Sequence, residues 1–227
     1  MRKLEVIVLN AQDSIDAYLA GADRLELVSS MEHGGLSPEV SIVKKVVNSV
    51  TIPVNVMIRF KPQDFVYSPE QMRELITYIE AIKDLGINGV VFGSLDQEGN
   101  VNLSQLTEIM AAAGNLDITF HRAIDEVQDK YLENFHKIDG LVTTVLTSGG
   151  LEKPILDNVS LLNEIAQGQT RVLVGGGITD QNYQQVVTGL ANCDFHVGSL
   201  AYVNGDFNSG IDQAAISKIK SLLLSQT

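Results

Sequence analysis

The chain has one cysteine, Cys193, so no internal disulfide can form, and a reducing, cytoplasmic setting is expected. Basic residues are scarce. There are 16 Lys plus Arg against 28 Asp plus Glu, a formal net charge of −12, and no basic block interrupts that balance. Nucleic acid and anionic membrane surfaces both need clustered positive charge, so neither is expected as a partner. Long apolar runs are also missing. The opening MRKLEVIVLN carries two basic residues and a brief apolar run broken by Glu5, which fits neither a signal peptide nor a membrane span. No linker, low-complexity tract or charge run divides the 227 residues. That length suits one (β/α)8 TIM barrel, and a single domain over residues 1–227 is expected.

What the chain does have is alternation. Short apolar runs at 4–9, 24–28, 53–59, 89–93, 117–121, 142–147, 171–174 and 193–197 read as strands, each followed by a helix-period segment. Ile15, Tyr18, Leu19 and Ala22 keep the spacing of one helix face, as do Met72, Leu75, Ile76, Ile79 and Ile82. Ser37-Pro38 and Ser68-Pro69 place a capping hydroxyl before a proline, and Gln71 completes a capping box with Ser68. Strands alternating with helices imply a parallel sheet, closed as a barrel or, as the alternative, doubly wound and open.

Side chains alternate along a strand, so parity separates the helix-facing set from the barrel-facing set. Leu4, Val6, Val8, Leu25, Leu27, Val54, Val56, Ile58, Ile118, Phe120, Phe195 and Val197 are apolar and should face the helices. Glu5, Glu26, Asn55, Met57, Arg59, His121 and His196 then point inward. Buried charges must be paired, hydrated or ligated. One option is that Glu5, Glu26 and Arg59 neutralise one another; the other is that they serve chemistry with His121, since Arg59 and His121 fall at strand C-termini, where barrel active sites lie.

Glycines mark a second feature. Gly175, Gly176 and Gly177 follow the seventh run, Gly198 and Ser199 follow the eighth, and Ser148 and Gly149 follow the sixth. Glycine turns let backbone N–H groups approach an anion, and the loops after strands seven and eight are the usual phosphate site of such barrels. A helix start beside Gly177 is expected to strengthen it. The loop at 29–38 is long and suggests a rim or lid.

The strings GADRLEL, GGLSP, IRF with DFVYS, TFHRAID, LTSGG, GGGI and FHVGS, in this order along nearly the whole chain, resemble the CutC family. The resemblance implies a TIM-type barrel, a cytoplasmic protein and a role in copper homeostasis. It also implies that the family's recurrent polar positions fall on Glu5, Glu26, Arg59, His121, Arg122, Asp125 and His196. Family members carry a cysteine next to the position of Val28, which this sequence lacks. Cu(I) prefers several sulfur ligands together, and here only Cys193, Met31 and Met57, with His121 and His196, could contribute. No specific high-affinity copper site is therefore expected, although copper is a possible cofactor through the resemblance; hard divalent ions at Glu5, Glu26 and the two histidines are a further option.

Two functions follow. One is a CutC-type part in copper homeostasis by weak or indirect copper binding. The alternative is an enzyme, of lyase or isomerase type, acting on a small phosphorylated or carboxylated metabolite. The expected partner is a small anion or a copper ion, and a homodimer is expected because barrels of this kind often pair.

Overall fold

Strand parity decides the architecture. The computed structural model describes residues 2–127, 130–151 and 153–226. Its strands and helices alternate as β1 (Leu4–Val8), α1 (Ala11–Leu19), β2 (Arg24–Leu27), α2 (Val40–Val47), β3 (Val54–Met57), α3 (Pro69–Ile82), β4 (Gly89–Phe92), α4 (Leu103–Ala113), β5 (Asp117–Phe120), α5 (Tyr131–Ile138), β6 (Thr144–Thr147), α6 (Val159–Ile165), β7 (Arg171–Val174), α7 (Tyr183–Gly189), β8 (Asp194–Val197) and α8 (Gln213–Ser225). Neighbouring strands pair in parallel, in chain order, and β1 closes onto β8. The protein is a (β/α)8 barrel, and the open doubly wound alternative falls away.

The helix-facing residues join one large apolar cluster between barrel and helices, from Leu4, Val6 and Val8 round to Phe195 and Val197. A smaller cluster, Ile7, Val28, Met57 and Val91, fills the barrel interior above the polar residues. Most strands are a residue or two shorter than the apolar runs. Leu9, Val28, Arg59, Gly93 and His121 leave the ladder at the C-terminal end, and the turns they enter build the site.

Helix α3 follows its sequence signals. Ser68 caps it in a reciprocal box with Gln71, Pro69 opens it, and Met72, Leu75, Ile79 and Ile82 are buried. Two other readings need correction. Helix α1 buries Asp13, Ser14 and Ala17 and leaves Tyr18 and Leu19 exposed, so its inner face is not the Ile15–Tyr18–Leu19 stripe. Small residues let the helix sit close on the sheet, and Asp13 is fixed there by the amide of Leu9 and the hydroxyl of Tyr202. Ser37 does not cap a helix either: α2 starts at Val40, and the Ser37 hydroxyl accepts from the backbone N–H of Arg59, tying the second loop to the third.

Candidate functional site

Register brings the inward charges together at the barrel centre. Glu5 lies beside Arg24 on one side and His196 on the other, and Glu26 lies beside Asn55. Arg24 Nε donates to Glu5 Oε2 in a buried ion pair, and Asn55 reaches the same oxygen at 3.4 Å. His196 Nε2 is 2.7 Å from Glu26 Oε2 and 3.9 Å from Glu5 Oε1. Burial alone would depress the His196 imidazole, but the Glu26 carboxylate, helped by Glu5, outweighs it and raises its pKa. For Arg24, too, burial works against the charged form and the attraction of Glu5 prevails. Arg24 is the member that the sequence reading missed. It shares the parity of Glu26 and stands two residues before it, which was the available signal.

Arg59 is not part of this network. Its Nη1 donates to the carbonyls of His33, Gly34 and Gly35 at 3.3 Å each, its Nη2 to Pro62 O at 2.9 Å, and its guanidinium lies over the Phe65 ring at 4.7 Å. The option that Arg59 neutralises Glu5 and Glu26 is not the one the fold takes: Arg24 pairs with Glu5, and His196 with Glu26. Arg59 instead fastens the loop at 29–38, which forms a rim through Met31, His33 and Gly34.

His121 follows β5 and caps the short helical turn Arg122–Glu126, its Nδ1 accepting from Ala123 N at 3.1 Å. Burial, then the positive charge of Arg59, pushes its pKa down to about 3, so it is a neutral imidazole with its proton on Nε2. With Nδ1 engaged by Ala123 N, the ring presents an N–H donor rather than a free basic nitrogen. Asp125 has a different role again. Its buried carboxylate accepts from Thr147 Oγ1, from the N–H and hydroxyl of Ser148, from Gly150 N and from Arg122 Nε. Gly149 N, in turn, donates to Thr147 Oγ1. The loop after β6 therefore spends its amides on protein oxygens, and Ser148 and Gly149 are no anion cradle.

The other two glycine loops behave differently. Gly175 N is used by the ladder, donating to Thr147 O at 3.0 Å. Among the described residues, no hydrogen bond occupies the N–H groups of Gly176, Gly177, Gly198 or Ser199. Gly176 and Gly177 have φ of +85° and +89°, in the left-handed region that glycine enters freely. Helix α7 begins only at Tyr183, so the expected helix start beside Gly177 is absent and the donors are loop amides alone.

All four residues border a cavity of about 460 Å³ at the C-terminal mouth of the barrel. Glu26 and His196 lie in its floor, His121, Arg59 and Arg122 in its wall, and Ile7, Met57, Phe65 and Phe207 supply apolar surface. The Arg122 side chain is 41% exposed and lies over Gly176, bringing a cation to the free amides. Glu126, which the sequence reading passed over, also borders the cavity; partial burial pushes its carboxyl up against the pull of Arg59 and Arg122. Of the other two histidines, His33 is exposed but borders the cavity from its rim, and His136 is exposed on α5.

A family model described as the CutC family matches residues 2–199. The chain belongs to the CutC family. A human copper homeostasis protein cutC homolog is 36% identical over 200 residues, covering 85% of this chain and 71% of its own. A Drosophila melanogaster protein of the same name is 33% identical over 210 residues, covering 90% and 80%. A solved structure from Streptococcus agalactiae, described as a copper homeostasis protein CutC, matches with a TM-score of 0.80 at 25% identity, over 87% of this chain and 98% of that one.

The donor set of this CutC-family chain fits Cu(I) poorly. Cys193 is buried just before β8, at the end of the barrel away from the cavity, and burial pushes its thiol up to about 12. Val28 sits in the inner apolar cluster and offers no donor. Met31 and Met57 border the cavity, but both pack against that same cluster. Oxygen and imidazole donors are better gathered: Glu5, Glu26 and His196 offer atoms within 4.8 Å of one another. Such donors suit a hard or borderline divalent ion rather than Cu(I), and Arg24 already balances Glu5. Among the described residues, no helix is long and apolar enough to cross a membrane.

Proposed function

We propose that this chain shares the copper-homeostasis role for which its relatives are named, and that it does so as an enzyme. It acts on a small phosphorylated or carboxylated metabolite by acid/base chemistry of the lyase or isomerase kind, in a cytoplasmic setting, and copper is affected indirectly. One observation carries this reading: four backbone amides without a partner among the described residues, and Arg122, line the same cavity that has a carboxylate–imidazole pair in its floor. Amides fixed by the fold attract an anion without reorganising when it arrives.

With the anion held there, Glu26 takes the substrate proton through Oε1, which has no partner among the described residues. His196, whose pKa its neighbour raises, returns one. A general acid–base pair of this kind contributes on the order of 10² to 10⁴ in rate. The test is a thermal-shift panel of phosphorylated and carboxylated metabolites on the wild type. A metabolite that raises the melting temperature should be turned over, and turnover should fall about 10²-fold or more in Glu26→Gln with binding retained. If none raises it, the proposal fails. In parallel, Cu(I) titration should give the same weak binding in wild type and Cys193→Ala; tight binding that the variant loses would restore the thiol as a ligand.

A further inference from the structure

One wall group has no task in the chemistry above. His121 has its ring pinned: Ala123 N–H donates to Nδ1, Gly93 leaves no room for a Cβ beside Nδ1 and Cε1, and the Phe65 ring lies 4.7 Å away. The acceptor nitrogen is therefore assigned, and Nε2 carries the hydrogen. That Nε2–H is buried and meets no acceptor among the described residues, although His121 borders the cavity. An unmatched buried donor is unfavourable, and a ligand that supplies the acceptor recovers that loss.

We infer that the substrate is a phosphorylated carbonyl compound, bound with its phosphate at the amides of Gly176, Gly177, Gly198 and Ser199 and its carbonyl oxygen on Nε2 of His121. The inference rests on the proposed anion site and specifies what else the ligand must carry. The phosphate follows from donors of one kind gathered at one end, beside the Arg122 guanidinium. The carbonyl follows from the other end. His121 is uncharged and gives one hydrogen bond, so it suits a neutral acceptor rather than a second anion. A hydroxyl there would need an acceptor for its own hydrogen, and Phe65 and the Arg59 guanidinium stacked on it offer none.

The chemistry balances without any co-reactant. Glu26 removes the proton from the carbon next to the carbonyl, the C–H electron pair becomes the carbon–carbon double bond, and the carbonyl π pair moves to the oxygen held by His121. Where that carbon carries a hydroxyl, the C=C electron pair then takes a proton at the former carbonyl carbon, the hydroxyl oxygen becomes the new carbonyl and its proton passes to the oxygen held by His121, an isomerisation in which nothing is oxidised or reduced overall. A neutral imidazole donates to the developing oxyanion without surrendering its proton first.

Calorimetric titration with inorganic phosphate, dihydroxyacetone phosphate and glycerol 3-phosphate tests this on wild type, His121→Ala and His121→Gln. The wild type should bind the ketone ester about tenfold or more tighter than the alcohol ester, a difference of about 1.4 kcal/mol. His121→Ala should lose that preference and keep its phosphate affinity, which also reports that it is folded. His121→Gln, which retains an N–H donor, should keep part of the preference. Equal affinity of the wild type for the two esters, or a preference that survives in His121→Ala, overturns this inference and leaves the anion site standing. Failure of the wild type to bind phosphate or either ester overturns the anion site as well.

Discussion

His196 Nε2 and Glu26 Oε2 meet at 2.7 Å across the barrel interior, from β8 and β2, with β1 and its Glu5 between them. Closing the barrel makes this contact, since the two residues are 170 positions apart in the chain. It raises the pKa of a histidine that burial alone would depress.

The first prediction concerns that charge. The His196 pKa is raised in the folded state, so the pair's stabilisation is fully present below the unfolded value of about 6.5 and disappears as pH rises through the folded value. Glu26→Gln should therefore destabilise the protein most below about pH 6.5 and progressively less above it. Denaturant unfolding of both proteins across that range checks the sign. A penalty that grows with pH would mean that His196 is neutral in the fold.

His121 carries the opposite linkage. Its pKa is lowered to about 3, so its stabilisation is present above about 6.5 and lost as pH falls toward about 3. Wild type should lose several kcal/mol over that acid range, and His121→Gln should lose distinctly less. Parallel unfolding curves for the two proteins at every pH would show that the ring does not resist protonation.

Arg24 neutralises Glu5 where both are almost fully buried. Removing only the cation, in Arg24→Met, leaves Glu5 without its counter-charge and should be unfavourable by about 3–5 kcal/mol. The double variant Arg24→Met/Glu5→Gln should recover a good part of that loss. Melting of these two variants and of Glu5→Gln decides it; additive losses would mean that the pair is not coupled.

Asp125 is predicted to act through the fold rather than through chemistry. Its carboxylate holds Ser148, Gly150, Thr147 and Arg122, so Asp125→Ala leaves several buried donors without acceptors. A loss of roughly 3 kcal/mol or more is expected, read as a lower melting temperature. Full stability combined with lost turnover would move Asp125 back among the groups that touch substrate.

The sequence reading did well where the physics is periodic. Parity alone placed Glu5, Glu26, Asn55 and His196 inside, because a strand offers only two faces and one of them was uniformly apolar. It did less well where a partner is chosen by the third dimension. Arg24 has the inward parity of Glu26, but at the first position of a strand no local pattern says whether such a residue is buried. Ser148 and Gly149 were read as anion donors because nothing in LTSGG shows that the carboxylate of FHRAID already takes those amides. In α1, Tyr18 and Leu19 outweighed Ala17 by hydrophobicity, whereas close packing on the barrel favoured the smaller side chain. Arg59 stands at the C-terminal end of its strand, as its place in the sequence implies, but its partners are carbonyls of a loop whose path no local pattern encodes.

The most direct measurement compares phosphate binding by Gly177→Asp and Gly177→Asn. A Cβ at Gly177 meets nothing within 4 Å, and at its φ of +89° Asn and Asp are among the better-tolerated side chains. The two variants match in shape and differ by one negative charge beside the free amides. Calorimetry should show the Asp variant binding inorganic phosphate at least about tenfold more weakly than the Asn variant. Equal affinities would place the anion elsewhere and contradict the account.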